Sequence, residues 1–148
     1  MKKFNFSLDT VKNYKEKLLD NLKMEHNAIL SAIVKQEELI DGMENTELTV
    51  NGELNEKNSK GIRPYELLNY QRYLKVLQSD IKVEYKRLGK LNDAEKAKKE
   101  ELIEMKKETA SIEKLEEKRQ MEYNALERKA DEIFIEEFVS NKKYAARL

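Results

Sequence analysis

The groups in this sequence that could act in acid–base or metal chemistry are one histidine, His26, and a large number of carboxylates. His26 stands between Glu25 and Asn27, on the flank of a predicted helix, and reads as a surface or seam-edge residue. Acidic pairs recur at Glu37-Glu38, Glu100-Glu101 and Glu116-Glu117. General acid–base work needs such groups to converge on one reacting atom, and a metal needs several ligands at once. With 39% of residues charged, adjacent carboxylates are the ordinary content of solvated helix faces. No nucleophile elbow, P-loop, HExxH or calcium-loop pattern occurs. The sequence therefore predicts no enzyme and no cofactor.

Recognition chemistry is better represented. In "RPYELLNYQRYLKVLQ", Arg63 to Gln78, three of the seven tyrosines fall within nine residues, at Tyr65, Tyr70 and Tyr73. One reading is packing: aromatics of a second helix cover Leu39, Met43 and Val50 of a first. The other is recognition, because tyrosine combines a large apolar face with a polar tip and anchors many protein interfaces.

The elements that carry these residues follow from composition and period. Lys, Glu, Leu and Ala dominate the 148 residues, with four glycines, one proline and no tryptophan, as in long helices and coiled coils. Lysine plus arginine and aspartate plus glutamate both number 29, so the formal charge is zero. That excludes the basic excess on which a nucleic-acid binder depends. Cysteine is absent, which removes disulfides and thiolate metal sites and fits a reducing compartment. No apolar run approaches the roughly 18 residues of a membrane span, and "MKKFNFSLDTVKNYKEK" has a basic start without an apolar signal core. A soluble, cytoplasmic protein is expected.

Ser7 or Asp9 is expected to cap the first helix, predicted over about residues 8–50. Stepping by four and three from Phe4 gives Phe4, Leu8, Val11, Lys15, Leu18, Leu22, Glu25, Ile29, Ala32, Gln36, Leu39, Met43, Thr46 and Val50. Ten of these fourteen are apolar. A stripe with that period requires a partner helix. "NGELNEKNSKG" is rich in residues that compete with helical bonding, so the turn is predicted at about 51–63. Pro64 suits the first turn of a second helix, predicted over about 64–143. Its seam runs from Leu67 through Tyr70, Leu74, Leu77, Ile81, Glu84, Leu88 and Leu91 to Tyr144, with fifteen of twenty-three positions apolar. A continuous helix and a bend near 89–93, at Gly89 to Asp93, are both open.

The fold class is thus all-α: an elongated antiparallel two-helix coiled-coil hairpin, one domain, with unequal arms of roughly 65 and 120 Å. The far third of the longer helix, with "IFIEEF" at Ile133 to Phe138, then overhangs the shorter one. An uncovered amphipathic helix is unstable alone, which predicts a binding partner or a backward bend.

The segments also carry a family resemblance. "FNFSLDTVKNYKE", the block Gly61, Ile62, Asn69, Tyr70, Gln71 and Tyr73 after the turn, and "YNALERKADEIFIEEF" near the C-terminus resemble the flagellar export proteins of the FliJ family over nearly the whole chain. The resemblance implies a coiled-coil hairpin similar to the central γ stalk of rotary ATP synthases, acting without chemistry of its own in the cytoplasmic ATPase complex of type III flagellar export. It implies three partners: the hexameric export ATPase FliI, the cytoplasmic part of the export gate protein FlhA, and export chaperones. Membrane association is expected to be peripheral, at the inner face and only through these partners. Carried onto this sequence, gate binding is expected at Tyr70, Tyr73, Leu77, Leu39 and Met43, and contact with the ATPase ring at Leu8, Val11, Ile133, Phe134 and Phe138. The competing expectation is an unrelated coiled-coil scaffold or prefoldin-like holdase.

Overall fold

A computed structural model describes residues 2–147. Two helices account for its regular structure: α1, Asp9–Lys60, of 52 residues, and α2, Pro64–Arg147, of 84. Among the described residues there is no strand. The fold is the expected all-α helical hairpin. The contacts divide it into two compact units, one of Met1–Asp20 with Ile103–Leu148 and one of Asn21–Leu102.

The turn is much shorter than its composition predicts. Asn51 to Lys60, assigned to the turn from sequence, are helical, and only residues 61–63 link α1 to α2. Two local effects account for this. Val50, Asn51 and Leu54 are half-buried, so the seam of α1 continues into the glycine- and asparagine-rich stretch. The hydroxyls of Thr49 and Ser59 donate to carbonyls of their own helix, at Asn45 (2.9 Å) and Glu56 (2.7 Å), rather than competing with it. The helix ends where Gly61 takes a φ of 99°, the left-handed conformation that glycine adopts without steric cost. Pro64 opens α2 as expected, and the Leu67 amide donates to the Arg63 carbonyl at 3.1 Å.

The start of α1 differs too. The Lys12 amide donates to the Leu8 carbonyl at 2.8 Å, which puts the cap position at Leu8 rather than at Ser7 or Asp9. Phe4 and Phe6 precede the helix, and Phe6 is buried. α2 runs through Gly89 to Asp93 without interruption. Leu88 and Leu91, half-buried on either side, hold that stretch in the seam against the cost of a helical glycine, about 1 kcal/mol.

In the Asn21–Leu102 unit the pairing is antiparallel. Gln36 donates to both the Glu84 carboxylate (2.6 Å) and its backbone carbonyl (3.0 Å), and Gln78 donates to Glu47 (3.0 Å). His26 and Glu95 share a hydrogen bond of 2.9 Å. Between Gln36–Glu84 and Gln78–Glu47 lie the buried Ile40 and Ile81, and Leu77 and Leu74 are buried from Gln78 toward the turn. Every predicted α2 seam position from Leu67 to Glu116 is buried or half-buried. On α1 the predicted stripe holds at alternate members and at Ala32, which is half-buried. Leu22, Ile29, Gln36, Met43 and Val50 are covered, but the row between them is His26, Ile33, Ile40, Glu47 and Leu54. The predicted Glu25, Leu39 and Thr46 lie one position off and are exposed.

In the other unit Lys12 donates to Glu116 at 2.5 Å and Lys15 to Glu108 at 3.0 Å. The Phe4 and Tyr123 rings meet at 5.5 Å, tilted by 52°, and the Tyr123 hydroxyl donates to the Lys2 carbonyl. Beyond Tyr123 every described residue of α2 is exposed.

Candidate interaction surfaces

The tyrosine cluster is positioned by Pro64, which starts α2, and by the helical continuation of α1 up to Lys60. Together they form a groove of 380 Å³ lined by Val50 and Lys57 from α1 and by Glu66, Asn69, Tyr70 and Tyr73 from α2. Tyr70 is half-buried in the seam, and the Lys57 ammonium sits 5.1 Å from its ring centroid. That contact is a cation–π geometry. Bonding to Tyr70, reinforced by Glu66 and Glu53, holds the Lys57 ammonium above its ordinary pKa, so it stays charged. Tyr73 is 50% exposed, with its ring presented to the groove. An apolar floor, a fixed cation and a free aromatic face suit the side chains of a protein partner.

The other residues expected with them are placed differently. Leu77 is buried between the helices and does not line the groove. Met43 is half-buried and Leu39 is half-exposed, and neither lines the groove. Asn69 stands in the family block without an assigned contact, Glu66 carries no signal of its own, and Lys57 falls in the stretch whose composition predicts the turn. One signal could have found Lys57: it lies seven residues after Val50, on the same row of α1.

A second surface is the free part of α2, Asn124 to Arg147. Ile133, Phe134 and Phe138 are exposed there, Phe134 by 69%, and Leu126 and Tyr144 are exposed on either side of them. Leu8 is half-buried and Val11 exposed. The ion pair of their neighbour Lys12 with Glu116 sets them against the middle of α2, and roughly 25 Å of helix separate Glu116 from Ile133. The five residues expected to contact the ATPase ring therefore form two patches.

Among the described residues no group of three or more His, Asp or Glu side chains could hold a metal ion. No described helix is long and apolar enough to cross a membrane. The long-range polar contacts are instead cross-helix pairs. Glu116 holds the Lys12 ammonium above its ordinary pKa, and Glu25 with Glu101 does the same for Lys98.

Comparison with known proteins adds one match. The family model described as "Flagellar FliJ protein" matches residues 4–146. Neither the curated proteins nor the solved structures contain a match to this chain.

Proposed function

The chain belongs to the flagellar FliJ family, and from that premise we propose that it is a non-enzymatic stalk linking the export ATPase to the export gate. It is a flagellar export component; the coupling role is the inference. The observation that carries it is the distribution of accessible apolar surface on α2. The helix begins at a tyrosine-lined groove and ends in an uncovered amphipathic stretch, Asn124 to Arg147. One continuous helix bearing a contact surface at each of its ends suits a connector.

In this reading the groove takes the cytoplasmic part of the gate protein, with Tyr73 as anchor and Tyr70 as floor. The exposed Ile133, Phe134 and Phe138 meet the ATPase ring, and export chaperones use the same stalk. Polar pairs along the seam favour exchangeable contacts, because exposed ion pairs contribute little net affinity. The protein then works in the cytoplasm and reaches the membrane only through its partners.

Two variants test this by pull-down against both partners. Tyr73→Ala weakens gate binding by about tenfold or more, a loss typical of an interface anchor, and leaves ATPase binding intact. Deletion after Arg128 abolishes ATPase binding and leaves gate binding intact. Full gate affinity for Tyr73→Ala, or equal loss of both partners on deletion, sinks the assignment.

A further inference from the structure

The groove at the turn holds a lysine placed differently from others that reach across the hairpin. Lys12, Lys15 and Lys98 each end on a carboxylate of the facing helix, at Glu116, Glu108 and Glu25, with separations of 2.5 to 3.0 Å. Lys57 ends on a ring instead, 5.1 Å from the centroid of Tyr70. Among the described residues neither Lys57 nor Glu66, the carboxylate that lines the same groove, takes part in an ion pair.

A ring face attracts an ammonium through its quadrupole but offers no carboxylate oxygen to its hydrogens. The three N–H donors of Lys57 therefore keep capacity for an acceptor. Glu66 is less in need of a partner. It lies in the first turn of α2, where unpaired amides and the helix dipole favour a negative charge. Val50, Tyr70 and Tyr73 give the groove its apolar surface beside the cation. The neighbourhood has the same sign as Lys57. Residues 50–75 carry five cations and three acids, in a chain whose formal charge is zero.

We infer that the groove takes an acidic segment of the gate protein: a carboxylate that bonds to Lys57, next to an apolar side chain that packs on Tyr70 and Tyr73. Glu66, on the α2 wall, repels that carboxylate and so sets which way round the segment lies. A basic segment would bring a like charge to Lys57, which makes Lys57 the residue that decides the sign of the occupant. The rings supply anchoring and the cation supplies selection. That the segment belongs to the gate protein rests on the gate reading; the sign of the occupant rests on the groove.

Binding of the purified cytoplasmic part of the gate protein, titrated at several salt concentrations, separates the two contacts. Lys57→Met keeps an apolar stem and removes the charge. It should weaken binding about tenfold at low salt, as for a lost hydrogen bond to a charged group, and flatten the salt dependence. Lys57→Arg keeps the charge and stacks on a ring as well, so it should restore most of both. Tyr73→Ala should weaken binding at every salt concentration and leave the slope unchanged. Circular dichroism checks that each variant stays helical.

Lys57→Met with parental affinity and slope, beside a weakened Tyr73→Ala, overturns the acidic occupant and leaves the gate reading standing. Lost affinity with an unchanged slope would mean that Lys57 only positions Tyr70, and overturns it too. Full affinity in both variants overturns the gate reading and the acidic segment together. A series of double substitutions then finds the acceptor. Each Asp or Glu of the gate protein's cytoplasmic part is changed to Ala in turn. The one that bonds to Lys57 should weaken binding to the parent chain and have no further effect on Lys57→Met. Additive effects from every such change overturn the pairing.

Discussion

The two units use the same amphipathic chemistry to opposite ends. Between Asn21 and Leu102 each helix covers the other, and the seam alternates buried aliphatic side chains with bonded polar pairs such as Gln36–Glu84 and His26–Glu95. In the other unit the pairing stops at Tyr123, and α2 continues with Phe134, Phe138 and Tyr144 in the open. Periodicity is the same in both, so it does not distinguish a seam that folds the chain from a stripe held for a partner. What distinguishes them is the supply of facing residues. α1 and the segment before it, through Phe4 and Lys2, face α2 as far as Tyr123, and no described residue covers α2 beyond that point.

Substitutions that remove the same kind of side chain from each unit test this contrast. Ile40→Ala should cost about 2–5 kcal/mol in urea unfolding, the range for a fully buried aliphatic residue. Phe134→Ala removes a larger side chain, yet should stay within about 0.5 kcal/mol, as at an exposed site. Similar losses in both would show that the end of α2 is covered in the isolated chain. A smaller effect is expected for Gln36→Ala, about 1 kcal/mol, from two lost hydrogen bonds in a half-buried layer. The Glu84 carboxylate keeps Arg87 at 2.7 Å, which limits the damage. An unchanged midpoint would remove the polar layers from the account of stability.

The smallest effect is alkaline. Lys98 is held protonated by Glu25 and Glu101, Lys12 by Glu116, and Tyr85 by Glu44, all above the ordinary values of 10.5 for lysine and 10.0 for tyrosine. Groups raised in the folded state contribute stability that is complete below those values and lost as pH rises through the higher folded ones. The urea midpoint should therefore begin to fall above about pH 10, and Lys98→Met should flatten part of that slope. A parent and variant with parallel curves would exclude Lys98 from the effect.

Much of this architecture was legible from the residues. The α2 seam can be followed from Leu67 to Glu116 by stepping four and three, because nearly every step meets an apolar or long side chain. It fails next at Arg119, which is exposed while Gln120 is half-buried. On α1 the same procedure chose Leu39 over Ile40. Both are aliphatic, so that single step does not decide the row; the neighbouring steps do, with Ile33 and Leu54 against Ala32 and Glu53. The turn was placed too early because Asn51, Gly52 and Asn55 weaken a helix in isolation, and the packing of Val50 and Leu54 overrides them. Tyr70 and Tyr73 were found as a pair, but the cation that completes their groove was not. Lys57 becomes part of it only when α1 runs on to Lys60.

The three-residue link between the helices also orders the cost of assembly. Lys57 and Tyr70 meet after closing a short loop around Gly61, whereas Lys12 and Glu116 are 104 residues apart along the chain. Closed independently, the longer loop would carry the greater entropic cost; closed after the pairs nearer Gly61, each further pair adds only a small increment. Assembly is therefore least costly as a zipper that starts at one glycine and proceeds outward, and the pairing of Lys2 with Tyr123 is its last tooth.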